Sequence, residues 1–103
     1  VPFIMVLGHS KCGAVDATIK VVKDGTTLPG HLPSLTNAIR PAVIAAQAKQ
    51  PADLLAEATA ENVRLNVKSL LSAKPILSDL VAGGKLKVVG AVYDIATGKV
   101  MPV

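Results

Sequence analysis

The sequence predicts an α/β fold around a mostly parallel sheet with flanking helices, incomplete in this chain, which supplies about two strands plus an edge hairpin. Three features predict it. Residues 1–7 are a continuous apolar run, the pattern of a strand covered on both faces, and residues 86–93 read as a second strand. Several segments with helical apolar spacing lie between them, as a crossover joining parallel strands requires. Half of the residues are hydrophobic yet only 2 % are aromatic, so the core must be assembled from Ala, Val, Leu and Ile, a mixture suited to helices packed on a sheet.

The elements follow in order. The first strand ends at Gly8; it starts without a lead-in, so the chain is expected to have been cut from something longer. Residues 12–23 place Val15, Ile19 and Val22 at helical spacing, and Asp24-Gly25 stops that helix. A loop over 24–33, with two Gly, two Pro and paired Thr, leads to a helix from about Ser34 that Pro41 should interrupt or kink. Pro51 opens the next helix, where its missing N–H costs little, and Asp53 adds negative charge near the amino end. Along that helix Val63, Val67, Leu70 and Leu71 recur as i, i+4, i+7 and i+8, one stripe facing the core. It ends before Pro75, and a shorter helix runs to Gly83-Gly84. After the second strand, residues 94–98 form a turn into a final strand at 100–103. There is no internal repeat, and residues 1–103 read as part of a single domain.

Composition excludes several classes. The 11 basic and 7 acidic residues give a net charge of +4, but the basic ones are scattered singly and lack interleaved aromatics, so no nucleic acid is expected as partner. No apolar run approaches the ~18–20 residues of a membrane span, and no leader precedes a cleavage site. A cytoplasmic location is expected, or a periplasmic or organellar one if a targeting signal has been removed. Cys12 is the single cysteine, so an intrachain disulfide is impossible.

Reactive side chains are densest in Gly8-His9-Ser10-Lys11-Cys12-Gly13, at the carboxyl end of a strand where a helix begins, the usual ligand position in open α/β sheets. A helix amino terminus favours Cys12 as thiolate, and imidazole with thiolate is a zinc-type ligand pair. Two ligands are fewer than a metal site needs, and a lone Cys or His is more often structural. The same stretch nearly fits the G-x-S-x-G nucleophile elbow, but Cys12 stands where the elbow needs glycine, and the later His31 precedes every acidic residue except Asp16 and Asp24. Asp16 reads as a solvated carboxylate and His31 as a loop residue; Tyr93 reads as core with its hydroxyl partnered. Asn62 and Asn66 share a helix face, suited to a buried hydrogen bond or a subunit contact more than to catalysis.

Residues 6–15, Val-Leu-Gly-His-Ser-Lys-Cys-Gly-Ala-Val, resemble the second zinc-ligand motif of the beta-class carbonic anhydrases, in which a strand ends in G-H-x-x-C-G. Downstream, Glu61-Asn62-Val63-Arg64, Pro75-Ile76-Leu77, residues 84–94 and Thr97-Gly98-Lys99-Val100 are similar to that family's later helix, closing strand and final hairpin, so the resemblance covers nearly the whole chain in order. Ala91 departs from it, since the family often has a large aromatic there.

The resemblance implies that His9 and Cys12 are two ligands of a Zn2+ cofactor, with the Gly13 and Ala14 backbone N–H groups nearest to steady the thiolate. It also implies that a further cysteine and an Asp/Arg pair lie upstream in a C-x-D-S-R segment absent here, so this chain holds no catalytic residue of its own and is inactive alone. The intact enzyme is expected to hydrate carbon dioxide to bicarbonate through zinc-activated water. The expected partners are the upstream half of the same protein and further copies in a homo-oligomer. The rival expectation is a non-catalytic homologue or processed fragment with a structural or subunit-association role.

Overall fold

The computed structural model describes residues 2–103; the expected first strand residue Val1 lies outside them. In chain order the elements are β1 (Phe3–His9), α1 (Gly13–Asp24), α2 (Leu32–Ala48), α3 (Leu54–Leu71), α4 (Ile76–Ala82), β2 (Lys87–Asp94) and β3 (Lys99–Pro102). The three strands form one sheet in the order β1-β2-β3. β1 and β2 are parallel from Phe3↔Lys87 to His9↔Tyr93, and β2 and β3 form an antiparallel hairpin from Ala91↔Pro102 to Asp94↔Lys99. This is the predicted α/β architecture of two parallel strands plus an edge hairpin. No helix among the described residues is long and apolar enough to cross a membrane.

α3 is the helix that lies on the sheet, against both β1 and β2, while α1 and α2 pack on α3 and on each other. Glycine permits that close approach. A Cβ on Gly8 would come within 2.8 Å of Val63 Cγ2, and one on Gly90 within 2.7 Å of Val63 Cγ1 and 3.0 Å of Val67 Cγ2. The main core therefore sits among the helices, where Val15 and Ile19 of α1 meet Ile39, Val43 and Ala46 of α2 and Ala58 of α3. Across the rim of the α2–α3 pair, Lys49 Nζ and Arg64 Nη1 each donate to both Glu57 Oε1 and Glu61 Oε2 at 2.8–3.1 Å.

Several expectations need correction. β1 was expected to be covered on both faces, but only the face carrying Ile4, Val6 and Gly8 is partly covered; Phe3, Met5 and Leu7 are 61 %, 45 % and 54 % exposed. Among the described residues α3 packs on the face of Gly8 and Gly90, so the unbroken apolar run here marks a strand whose other face is largely open. Tyr93, paired with His9 in register, points to that open face and is 36 % exposed, with no partner for its hydroxyl among the described residues. α2 runs through Pro41 without interruption; Pro41 and Asn37, whose carbonyl loses its N–H donor there, both lie on the exposed side, so that carbonyl is open to solvent. α3 starts after Asp53, whose carboxylate accepts from Ala56 N at 3.1 Å; that cap, not Pro51, sets the boundary. Leu71, at the end of the predicted stripe, is 39 % exposed, so the stripe stops short of it.

Candidate metal centre

β1 delivers His9 to the carboxyl edge of the sheet, Ser10 and Lys11 make the turn, and Cys12 is the N-cap of α1. His9 is exposed, with its Nδ1 2.9 Å from the Ser10 carbonyl oxygen. A carbonyl only accepts, so Nδ1 is the donor, and in the neutral ring that tautomer leaves Nε2 to ligate a metal. Cys12 is half-buried, packs beside the helical core and makes no side-chain cap bond; its carbonyl accepts the first helical bond, from Asp16 N at 3.0 Å. The Gly13 and Ala14 N–H groups lie in the first turn, where the helix offers no acceptor, so they are available to a thiolate at Cys12.

The turn between the two residues is held from a distance. Lys11 has φ of 53°, a left-handed conformation costing a non-glycine residue about 1–2 kcal/mol. Ser10 N donates to the Tyr93 carbonyl at 2.8 Å, Ile95 N donates to Ser10 Oγ at 3.0 Å, and Ser10 Oγ donates to Asp94 Oδ1 at 3.3 Å. The hydroxyl is thus engaged as both donor and acceptor, and its two partners, Asp94 and the Ile95 N–H, include no histidine. The Asp94 carboxyl is held below the usual carboxylate range, first by Ala96 N (3.1 Å), then by Thr97 Oγ1 (2.9 Å) and to a lesser degree by Ser10 and the Lys11 charge. Sequence reasoning found the turn at 94–98 but missed Asp94 as a neighbour of the site, because no local pattern ties it to a serine 84 residues earlier.

The fold thus brings His9 and Cys12 to one turn and adds no third ligand: among the described residues, no group of three or more His, Cys, Asp or Glu could hold a metal ion. The donor set fits zinc as part of a larger set, with one imidazole nitrogen left free by its neighbour's carbonyl and one cysteine at a helix amino terminus. The other polar candidates lie elsewhere. Asp16 pairs with Lys20 at 3.4 Å on the α1 surface; His31 is exposed at the start of α2; Asn66 Nδ2 donates to the Asn62 carbonyl at 2.8 Å on α3.

Comparison with known proteins gives these features a family. Residues 1–100 match the family model described as carbonic anhydrase. Carbonic anhydrase 2 of Mycobacterium tuberculosis is 31 % identical over 99 residues, covering 96 % of this chain and 47 % of that protein. The carbonic anhydrase of Mycolicibacterium smegmatis is 30 % identical over 100 residues, with 97 % and 48 % covered. Among solved structures, the beta-carbonic anhydrase CcaA superposes with a TM-score of 0.75 at 30 % identity, over 97 % of this chain and 50 % of that one. A tetrameric beta-carbonic anhydrase from Sordaria macrospora shares the fold, with a TM-score of 0.82 at 22 % identity over 100 % of this chain and 52 % of that one. The chain spans about half the length of the curated relatives it matches. From the family match along nearly its whole length, and from the strand, turn and helix that carry His9 and Cys12, the chain belongs to the carbonic anhydrase family, in its beta class.

Proposed function

We propose that residues 1–103 are the carboxy-terminal part of a beta-carbonic anhydrase domain that reversibly hydrates carbon dioxide to bicarbonate with zinc, His9 and Cys12 being two of its ligands. The observation that carries this reading is the shared turn, in which the His9 Nδ1 bond to the Ser10 carbonyl presents Nε2 as a ligand three residues from the Cys12 sulfur. Bound zinc supplies the Lewis acidity that lowers the pKa of water towards ~7 and makes hydroxide available at neutral pH. This chain's contribution is to hold two ligands: the Ser10 carbonyl fixes the His9 tautomer, and the Gly13 and Ala14 N–H groups stabilise the Cys12 thiolate. The remaining ligand and the Asp/Arg pair come from a segment upstream of His9.

The open face of β1, with Phe3, Met5 and Leu7, supports a covering partner in the assembled protein, supplied by that upstream part. The tetrameric assembly named for the Sordaria protein supports self-association. The same open face, with only two candidate ligands on this chain, favours the second reading, a non-catalytic chain whose role is subunit association. The test is to measure zinc per chain and carbon dioxide hydration for the protein carrying this chain and for its His9→Ala and Cys12→Ser variants. One zinc and rapid hydration in the parent, both reduced at least tenfold in the variants, is the expected result. Stoichiometric zinc in Cys12→Ser overturns the ligand assignment; a parent with neither zinc nor activity favours association.

A further inference from the structure

We infer that Asp94 is a positioning residue for the zinc site, acting through Ser10 to fix the turn that sets His9 and Cys12 relative to each other. The inference rests on the zinc reading above and extends it to a residue at the far end of the chain. The two ligands have different anchors, His9 on β1 and Cys12 on α1, so their relative placement depends on Ser10 and Lys11. That dipeptide does not hold itself. Lys11 occupies the left-handed region, which favours relaxation elsewhere unless neighbours prevent it.

What prevents it is the β2–β3 turn. Tyr93, Asp94 and Ile95 each bond Ser10, through its N–H and through both roles of its hydroxyl, and the Ile95 N–H is the shorter of the two hydroxyl contacts. Asp94 organises that turn: its carbonyl accepts from Gly98 N at 2.7 Å, Oδ1 from Ala96 N and Ser10 Oγ, and Oδ2 from Thr97 Oγ1, while Thr97 Oγ1 accepts from Lys99 N. One carboxylate therefore shapes the turn and grips the serine between the ligands. Asp94 touches neither ligand, so its effect on metal must travel through Ser10. A group that orients ligands in this way typically changes metal affinity 10- to 100-fold when removed.

The test uses the protein carrying this chain at its natural length, with Asp94→Ala, Asp94→Asn, Ser10→Ala, the Asp94→Ala/Ser10→Ala double variant and Cys12→Ser as control. Zinc affinity is measured by competition with a chromophoric chelator, the cobalt-substituted proteins are compared in the thiolate-to-metal band, and thermal melts report folding. Amide exchange of the metal-free proteins at residues 10–12 is followed in parallel. Asp94→Ala is expected to weaken zinc about tenfold or more, to shift the cobalt band and to speed exchange at Lys11 and Cys12. Asp94→Asn, which keeps an oxygen for Ser10 and Ala96, should restore most of the affinity. Ser10→Ala should weaken zinc several-fold, and the double variant should be little worse than Asp94→Ala, because both cut one connection. Affinity within twofold of the parent and an unchanged cobalt band in both single alanine variants overturn the inference and leave Asp94 a turn residue. If Asp94→Ala does not fold, Ser10→Ala decides by the same criteria. Parent-like zinc binding in Cys12→Ser removes the zinc reading itself, and the inference with it.

Discussion

Gly90→Ala tests the packing that sets the sheet beneath the helices. Its new methyl would lie 2.7 Å from Val63 Cγ1 and 3.0 Å from Val67 Cγ2, about 1 Å inside the ~3.5–4.0 Å of an ordinary carbon contact. Val63 is 3 % exposed and held between the sheet and the helical core, so it has little room to turn away. Overpacking of this kind costs about 1–3 kcal/mol. Alanine in place of glycine returns about 0.4–1 kcal/mol through the unfolded chain, since Gly90 does not need a positive φ. The net expectation is a loss of about 1–2 kcal/mol, seen as a fall in melting temperature of roughly 2–8 °C per kcal/mol depending on the size of the folding unit. The chain has no Trp and one Tyr, so far-UV circular dichroism in urea and heat is the suitable probe. Val63→Ala alone should cost about 2 kcal/mol through lost burial. Combined with Gly90→Ala it should relieve the clash, making the double variant about 1–2 kcal/mol more stable than the sum of the single changes. Strict additivity, or a Gly90→Ala protein as stable as the parent, would refute the claim that α3 is seated through glycine.

Ser10→Ala in the zinc-loaded protein should lower hydration a few-fold at saturating zinc, far short of the loss a nucleophile would show, and a serine-hydrolase probe should leave Ser10 unlabelled; labelling would reinstate the elbow reading. The Glu57 and Glu61 carboxyls are held below their ordinary range, each chiefly by the hydrogen bond from Lys49, with Arg64 contributing and partial burial opposing. Because the folded values are depressed, their stabilisation is fully present above the unfolded value of about 4.3 and is lost as pH falls through the lower folded values. Glu57→Gln with Glu61→Gln should therefore lower stability at pH 7 and flatten the acid limb of urea midpoints below about pH 4.5, whereas an unchanged limb would mean that the cluster is not formed in solution. Lys49 is correspondingly raised, first by Glu61 and then by Glu57, so its share is present at neutral pH and fades only above its ordinary range, as pH rises through the raised value; a melting series at alkaline pH should show that decline in the parent and not in Lys49→Gln.

Much of the fold was legible because apolar spacing and turn residues report local geometry directly. Val15, Ile19 and Val22 predicted α1, Gly83-Gly84 marked the end of α4, and the Asp94-to-Gly98 turn joined β2 to β3 as observed. The failures came where tertiary surroundings decide. The residue run Phe3-Ile4-Met5-Val6-Leu7 has the same apolar character on both faces, and nothing in it indicates that helices cover only one. Pro41 disfavours a helix interior by itself, and that the packing of α2 on α1 and α3 carries the helix through it is a property of the packed fold. His9 and Cys12 were legible as a pair because one short turn holds both. Asp94 was not, because its relation to Ser10 exists only through the pairing of β1 with β2.

If His9 and Cys12 are two zinc ligands of a set completed elsewhere, the zinc content of this chain should depend on the rest of that set. Residues 1–103 are expressed alone, dialysed against a moderate chelator, and assayed for zinc content and stopped-flow hydration, then assayed again with a C-x-D-S-R-containing upstream segment supplied in trans. Two ligands leave half of a tetrahedral shell to water, whereas structural sites reach ~10–16 kcal/mol with a full set, so the chain alone should retain little zinc and show no enzymatic rate. Addition of the segment should bring one zinc per complex together with hydration. Stoichiometric zinc and rapid hydration in the isolated chain would instead mean that a site of His9 and Cys12 is sufficient by itself and that no upstream ligand is needed.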